Sequence, residues 1–214
     1  MRYRISEIKL DIRQSQEELP TAVRKKIKKK DLDIHDLKII KESVDARKKP
    51  DIKKVYTLEF SCSQKLPLKE AAERRYQVPV ADGSGKDRPV VVGFGPAGMF
   101  AGLILAEMGL KPVILERGEP VEQRIKTVQK FWKDGILDPE SNVQFGEGGA
   151  GTFSDGKLTT GIKDIRIGKV LEEFVEAGAD PSILYKQKPH IGTDKLPGVI
   201  ENMRKQIIAS GGEV

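Results

Sequence analysis

The chain has 214 residues, 38% of them hydrophobic, enough for a packed core in one large domain or two small ones. No apolar run approaches the ~18 residues needed to cross a bilayer, and the opening MRYRISEIKLDIRQ alternates charge with apolar residues where a signal peptide would be apolar, so a cytoplasmic protein is expected. A single cysteine, Cys62, excludes an intrachain disulfide, a Cys-x-x-Cys redox pair and a cysteine-rich metal site, and the net charge of +6 is unevenly spread: residues 1–86 hold 22 basic and 14 acidic residues, residues 87–214 hold 16 and 18.

In chain order, YRISEIKLDI (3–12) alternates apolar and polar residues closely enough to predict a strand with one slip. SQEELPTAVRKKIKK (15–29) carries a Ser15 cap, acids early and bases late, as a helix dipole favours. LKIIKESVDAR (37–47) and IKKVYTLEFS (52–61) are β-branched runs on either side of a polar KKPD turn, which predicts a hairpin. This β-α-β-β order points to a small α+β, ferredoxin-like domain over residues 1–86. Cys62, in YTLEFSCS, reads as a buried or half-buried strand cysteine. The clusters KKIKKK (25–30) and RKK (47–49) have the charge to hold phosphates. Lysines solvated at a helix end and a turn are the commoner explanation, and only Tyr56 and Phe60 offer aromatic faces in the strand, so nucleic-acid binding is not expected.

The turn-rich ADGSGKDRP (81–89) and the change in charge place a domain boundary near residue 86, leaving 87–214 as a second domain. It begins with Pro89-Val90-Val91-Val92, a short apolar run expected of a strand buried on both faces of a parallel sheet. Gly93-Phe94-Gly95-Pro96-Ala97-Gly98 follows. In this spacing the first glycine permits the tight turn, the second lets a pyrophosphate approach the backbone, and the third lets the helix pack closely on the strand. The helix start offers unpaired N–H groups to phosphate oxygens, and Pro96 costs little there because its missing N–H falls in the first turn. Gly109 ends the helix, and Pro112-Val113-Ile114-Leu115 forms a second strand. Glu116 stands at its end, 23 residues beyond Gly93, where a carboxylate accepts from ribose hydroxyls and disfavours a 2′-phosphate. Together these features predict a dinucleotide site.

In GEPVEQRIKTVQKFWKDG (118–135), Arg124 falls early in a predicted helix, and Val128, Phe131 and Trp132 recur at helical spacing, which assigns Trp132 to packing. NVQFGEGGAGTFSDGKLTT (142–160) is a second glycine-rich segment, as found in folds whose extended flavin meets backbone amides along the sheet edge; that favours FAD over NAD. Gly151 to Lys157 imitates a phosphate-binding P-loop, but Leu158 stands where Ser or Thr must ligate Mg²⁺ and no buried strand precedes it.

The stretch GFGPAGMFAGLILAEMGLKPVILERG, followed by EGGAGTFSDGKLTT and preceded by the hairpin SVDARKKPDIKKVYTLEF, resembles the uncharacterised bacterial FAD-dependent oxidoreductases (FAD-dependent dehydrogenases) of the glutathione-reductase-type Rossmann superfamily. These are similar in fold to aromatic-ring and geranylgeranyl reductase-like flavoproteins and carry a small N-terminal α+β domain. The resemblance covers essentially the whole chain. It implies FAD contacts from Gly93, Gly95, Pro96, Ala97, Gly98, Glu116, Arg117 and Arg124. The loop containing Gly149, Gly151, Thr152 and Ser154 would lie near the pyrophosphate and ring. It also implies a small-molecule substrate or electron acceptor, with NAD(P)H as a candidate reductant.

His190, in QKPHIG (187–192), sits in a predicted strand and reads as structural, while Asp155 and Lys157 are better placed to line a site. No residue identifies a substrate or a catalytic group. Pro197 to Ser210 predicts a helix, Gly211-Gly212 its cap, and Glu213-Val214 the start of a third parallel strand. An open doubly wound sheet needs that strand and more. The expectation is therefore an FAD-dependent oxidoreductase seen through its N-terminal piece, with the ADP-binding half of the flavin site and an incomplete Rossmann-type sheet. Two alternatives stand beside it: an NAD(P)-binding dehydrogenase, and a flavoprotein acting on RNA through its basic N-terminal domain.

Overall fold

A computed structural model describes residues 1–72, 75–81 and 87–214. The chain forms two compact units, one from Met1–Arg74 with Leu184–Pro189, the other from Arg75–Ile183 with His190–Val214. The boundary expected near residue 86 lies outside the described residues.

The first unit is an antiparallel sheet with one helix. Its strands are β1 (Arg2–Asp11), β2 (His35–Asp45) and β3 (Lys53–Ser61), in the spatial order β1-β3-β2. The slip read in β1 is a bulge between Ile5 and Ile8, where Glu7 takes a left-handed φ of 54°. That extra residue restores the alternation, so Ile5, Ile8 and Leu10 all reach the same core. On β3, Tyr56, Leu58 and Phe60 face this core, and α1 (Leu19–Ile27) closes it with Leu19 and Val23. The helix predicted from residue 15 starts later. Ser15 caps a 3₁₀ turn over Gln16–Glu18, and the regular helix begins only at Leu19, because Pro20 has no N–H to donate and is tolerated only in a first turn. On the other face of β3, Glu59 is buried and neutralised by Arg2 (2.9 Å) and Arg4 (2.9 Å). Both sheet edges are covered: Glu70 bridges Tyr3, and Lys186 bridges Glu42. Cys62 is buried beside this core, its Sγ 3.1 Å from the Gln64 carbonyl.

The second unit contains a two-stranded parallel sheet. β4 (Val90–Val92) pairs with β5 (Val113–Leu115) in the register Val91 to Ile114. Glu213 adds a parallel bridge to Val113, with its N–H on the Pro112 carbonyl (2.9 Å) and its carbonyl accepting from Ile114 (2.8 Å). Among the described residues the unit has four helices: α2 (Pro96–Glu107), α3 (Val121–Asp134), α4 (Arg166–Glu176) and α5 (Leu196–Ala209). The helices α2 and α5 bury Met99, Leu103, Met203 and Ile207 against Ile114. Burial of β4 on both faces is not what the structure has. Val92 is 83% exposed and Val90 61%, because among the described residues α2 and α5 cover only the Val91–Ile114 side. The architecture is thus mixed α/β, and among the described residues there is no complete Rossmann sheet. Trp132 also departs from expectation: it is 61% exposed and meets Phe153 edge-to-face, while Val128 takes the buried position on α3. Among the described residues no helix is long and apolar enough to cross a membrane, and no cluster of His, Cys, Asp and Glu could hold a metal ion.

Candidate functional site

The site is built where β4 turns into α2. Gly93 leaves the strand with φ +93°, its N–H on the Leu115 carbonyl (2.7 Å), so the turn is tied to the neighbouring strand. Phe94 then buries its ring in the core and donates its N–H to Glu116 Oε2 (2.6 Å). Gly95 is the extended residue before the helix, and Pro96 opens α2. Gly98 packs so closely on the turn that a Cβ there would lie 1.9 Å from the Gly93 carbonyl oxygen. Only glycine lets the helix begin at this distance. Among the described residues the amides of Gly95, Ala97 and Gly98 find no protein acceptor, and Pro96 and Ala97 are exposed. Three donors at a helix N-terminus are thus left without a protein partner, where the helix dipole favours an anion.

The second glycine-rich segment comes to the same place. Gly148 donates to the Phe94 carbonyl (2.8 Å), and a Cβ on Gly149 would stand 3.3 Å from the Gly95 Cα and 3.1 Å from Pro96 Cδ. Residues Gly149–Phe153 form a 3₁₀ turn, after which Ser154 is extended and its Oγ donates to the Gly151 carbonyl (2.7 Å). No helix starts at Gly156-Lys157 as a P-loop would require; the next one, α4, begins at Arg166. A cavity of about 230 Å³ lies between the two glycine segments, lined by Pro96, Met99, Gly148, Gly151, Ser154 and Phe174 among others.

Arg124 holds this arrangement together. Its side chain is fully buried, with Nε on the Asn142 carbonyl (2.9 Å), Nη1 on those of Glu147 (2.6 Å) and Gly149 (2.9 Å), and Nη2 on that of Val143 (3.0 Å). Burial pulls its pKa below the usual arginine value, opposed by the charges of Glu116 and Glu147, yet a guanidinium stays protonated in proteins. Each of its three guanidinium nitrogens is bonded within residues 142–152, so the side chain braces the loop. Thr152 is fully buried in the same loop, its Oγ1 donating to the Glu147 carbonyl (3.2 Å). Arg117 stays accessible, paired with Glu140 (3.3 Å) and 4.9 Å from the Phe145 ring centre.

Glu116 does more than its position predicted. Its two oxygens accept the N–H groups of Phe94 (2.6 Å) and Gly118 (2.9 Å), so it ties the glycine turn to the end of β5 while keeping lone pairs for further donors. It lines a second cavity of about 560 Å³ with Phe94, Gly118, Glu147, Arg204 and Val214. Glu147 was not identified from the sequence. Its Oε2 accepts from Val121 N–H (2.6 Å) and Arg204 (2.8 Å). Burial pushes its pKa above the usual carboxylate value, opposed by the Val121 amide and Arg204. A lone acid inside an otherwise small and apolar run, FGEGGAG, was the available signal. Asp155 and Lys157 form an exposed ion pair (2.9 Å), which lowers the Asp155 pKa and raises that of Lys157. His190 is exposed and sits directly across an antiparallel bridge from Lys157, so these three residues share one edge of the glycine segment.

Residues 2–61, from β1 to the end of β3, match a family model described as a domain of unknown function, DUF8436. The chain is similar to an uncharacterized protein of Clostridium beijerinckii, 49% identical over an alignment that covers 100% of this chain and 42% of the relative. The chain thus spans less than half the length of the curated relative it matches.

Proposed function

We propose that this chain carries the ADP-binding half of an FAD site in an oxidoreductase acting on a small molecule. The observation that carries the reading is the meeting of two glycine segments at the start of α2, where the amides of Gly95, Ala97 and Gly98 have no protein acceptor among the described residues. A backbone cradle at a helix N-terminus suits a pyrophosphate. Glu116, at the end of the adjacent strand, extends the site from an anion pocket to a dinucleotide site by offering lone pairs to ribose hydroxyls. FAD is favoured over NAD by the second segment, whose Gly149 and Gly151 present exposed or half-exposed backbone beside Pro96.

In this reading β4, β5 and the Glu213 bridge begin a Rossmann-type sheet, and the first unit is a ferredoxin-like sandwich. Redox chemistry would be the flavin's own. The chain's residues bind and orient: Gly95 to Gly98 hold the diphosphate, Glu116 the ribose, and Arg124 the loop that completes the cradle.

Replacing Glu116 by Ala is expected to weaken FAD binding by ~1–3 kcal/mol, the range for losing hydrogen bonds to a charged group. It should also lower stability, because Phe94 and Gly118 lose their acceptor. Titration well below the variant's unfolding temperature separates the two effects. An unchanged FAD affinity would remove Glu116 from the site.

A further inference from the structure

We infer that the lysine cluster at the end of α1 docks the first unit on the phosphate backbone of a nucleic-acid duplex without reading its bases; this goes beyond the dinucleotide reading and does not depend on it. The run from Arg24 to Leu32, RKKIKKKDL, holds five lysines, Lys25, Lys26, Lys28, Lys29 and Lys30, against one acid, Asp31. All five are exposed, and among the described residues none has an ion-pair partner. Lysines gather at helix ends to meet the last free carbonyls. Here the backbone itself meets much of that need. The Lys29 amide donates to the Arg24 carbonyl (3.1 Å) and the Lys28 amide to that of Lys25 (3.3 Å). Lys26 instead reaches the carbonyls of Ser6 and Glu7 (both 2.9 Å), which ties the helix end to the bulge on β1. Lys29 meets only the Gln64 side-chain oxygen, at 3.4 Å, and the ammonium groups of Lys25, Lys28 and Lys30 have no partner among the described residues. Lys28 also takes a left-handed φ of 59°, so a charged side chain stands where the backbone favours glycine.

The residue types choose the partner. The one arginine of the run, Arg24, directs its Nε to the Leu32 carbonyl (3.0 Å), and the groups left are ammonium ions, which meet phosphates as point charges and carry no planar fork for a base edge. Tyr3, Tyr56 and Phe60 are buried in the core, so the sheet offers no aromatic face to unpaired bases; a duplex, whose bases stack on one another, needs none. A protein partner fits less well, because interface cores are poor in lysine and rich in aromatic residues. A membrane surface fits less well too, because the apolar side chains of α1 that could enter it, Leu19 and Val23, are turned into the core.

The test is fluorescence anisotropy of a labelled, mixed-sequence DNA duplex titrated with the whole chain at increasing salt. Four or five phosphate contacts give log affinity against log salt a slope of about −4. Replacing Lys25, Lys28, Lys29 and Lys30 together by Gln should bring the slope to about −1 and cut affinity at low salt by about thirtyfold or more. Gln at Lys126, Lys130 and Lys133 on α3 removes comparable charge elsewhere and should leave the slope as it was. Lys28→Gly keeps the fold, because its φ suits glycine, and should lower the slope by about one. A wild-type slope near zero, or a slope that falls as far in the α3 variant as in the cluster variant, would overturn the assignment. So would an affinity that follows base sequence, or tighter binding of an unpaired strand or of phosphatidylserine vesicles than of the duplex. None of these outcomes bears on FAD binding.

Discussion

Arg124→Met will cost the second unit about 3–5 kcal/mol, the scale for removing the central partner of a buried charged network. The substituted side chain fills similar space, so the loss comes from hydrogen bonding. The carbonyls of Asn142, Val143 and Gly149 lose their donor at once and that of Glu147 keeps only Thr152 Oγ1, and all belong to the segment that must lie against Gly95 and Pro96. Hydrogen exchange should rise across residues 142–152 first, and the urea midpoint should fall. Arg124→Lys should rescue little, because an ammonium offers three donors from one point where a planar fork reaches carbonyls on several sides. Wild-type stability in Arg124→Met would show that the carbonyls are satisfied in some other way.

The second large effect is expected at Gly98. Alanine there places its Cβ 1.9 Å from the Gly93 oxygen and 3.0 Å from the Gly93 carbonyl carbon, both backbone atoms that no rotamer change can move. The helix must back away from the strand, which costs at least ~1–3 kcal/mol as overpacking does. The same movement takes the Ala97 and Gly98 amides out of line, so dinucleotide binding should be lost. Gly151→Ala is the control. It has open space around the new Cβ and no left-handed φ, so its stability should change by no more than ~0.5 kcal/mol. Thermal melts and cofactor titrations of the two variants decide it; a Gly98→Ala protein that matches Gly151→Ala would contradict the close approach.

Local chemistry carried the elements. The three-residue step from Ile5 to Ile8 is visible in the sequence because a bulge must break strict alternation, and Pro20 marks where a regular helix can start. The glycine spacing of residues 93–98 is legible for the same reason, since each glycine answers a local steric demand. What was not legible is non-local. A buried arginine held by backbone carbonyls leaves no trace in residue types, because carbonyls are the same at every position, so the support that Arg124 gives the loop was not legible. Val90 and Val92 read as doubly buried because apolar runs signal a strand and not which of its faces is covered. Trp132 followed helical spacing with Val128 yet lies at the rim of that stripe, where it turns outward onto Phe153. Glu147 escaped notice because its importance comes from burial between α3 and Arg204, which no spacing rule reports.

The central claim is that the glycine turn and Glu116 hold the ADP end of FAD. It is tested most directly by titrating the purified, cofactor-free protein with FAD and then competing with ADP, FMN and NAD. The account predicts saturable binding of one FAD per chain, displaced by ADP and untouched by FMN. NAD that binds where FAD does not, or FMN that displaces FAD while ADP fails, would contradict it.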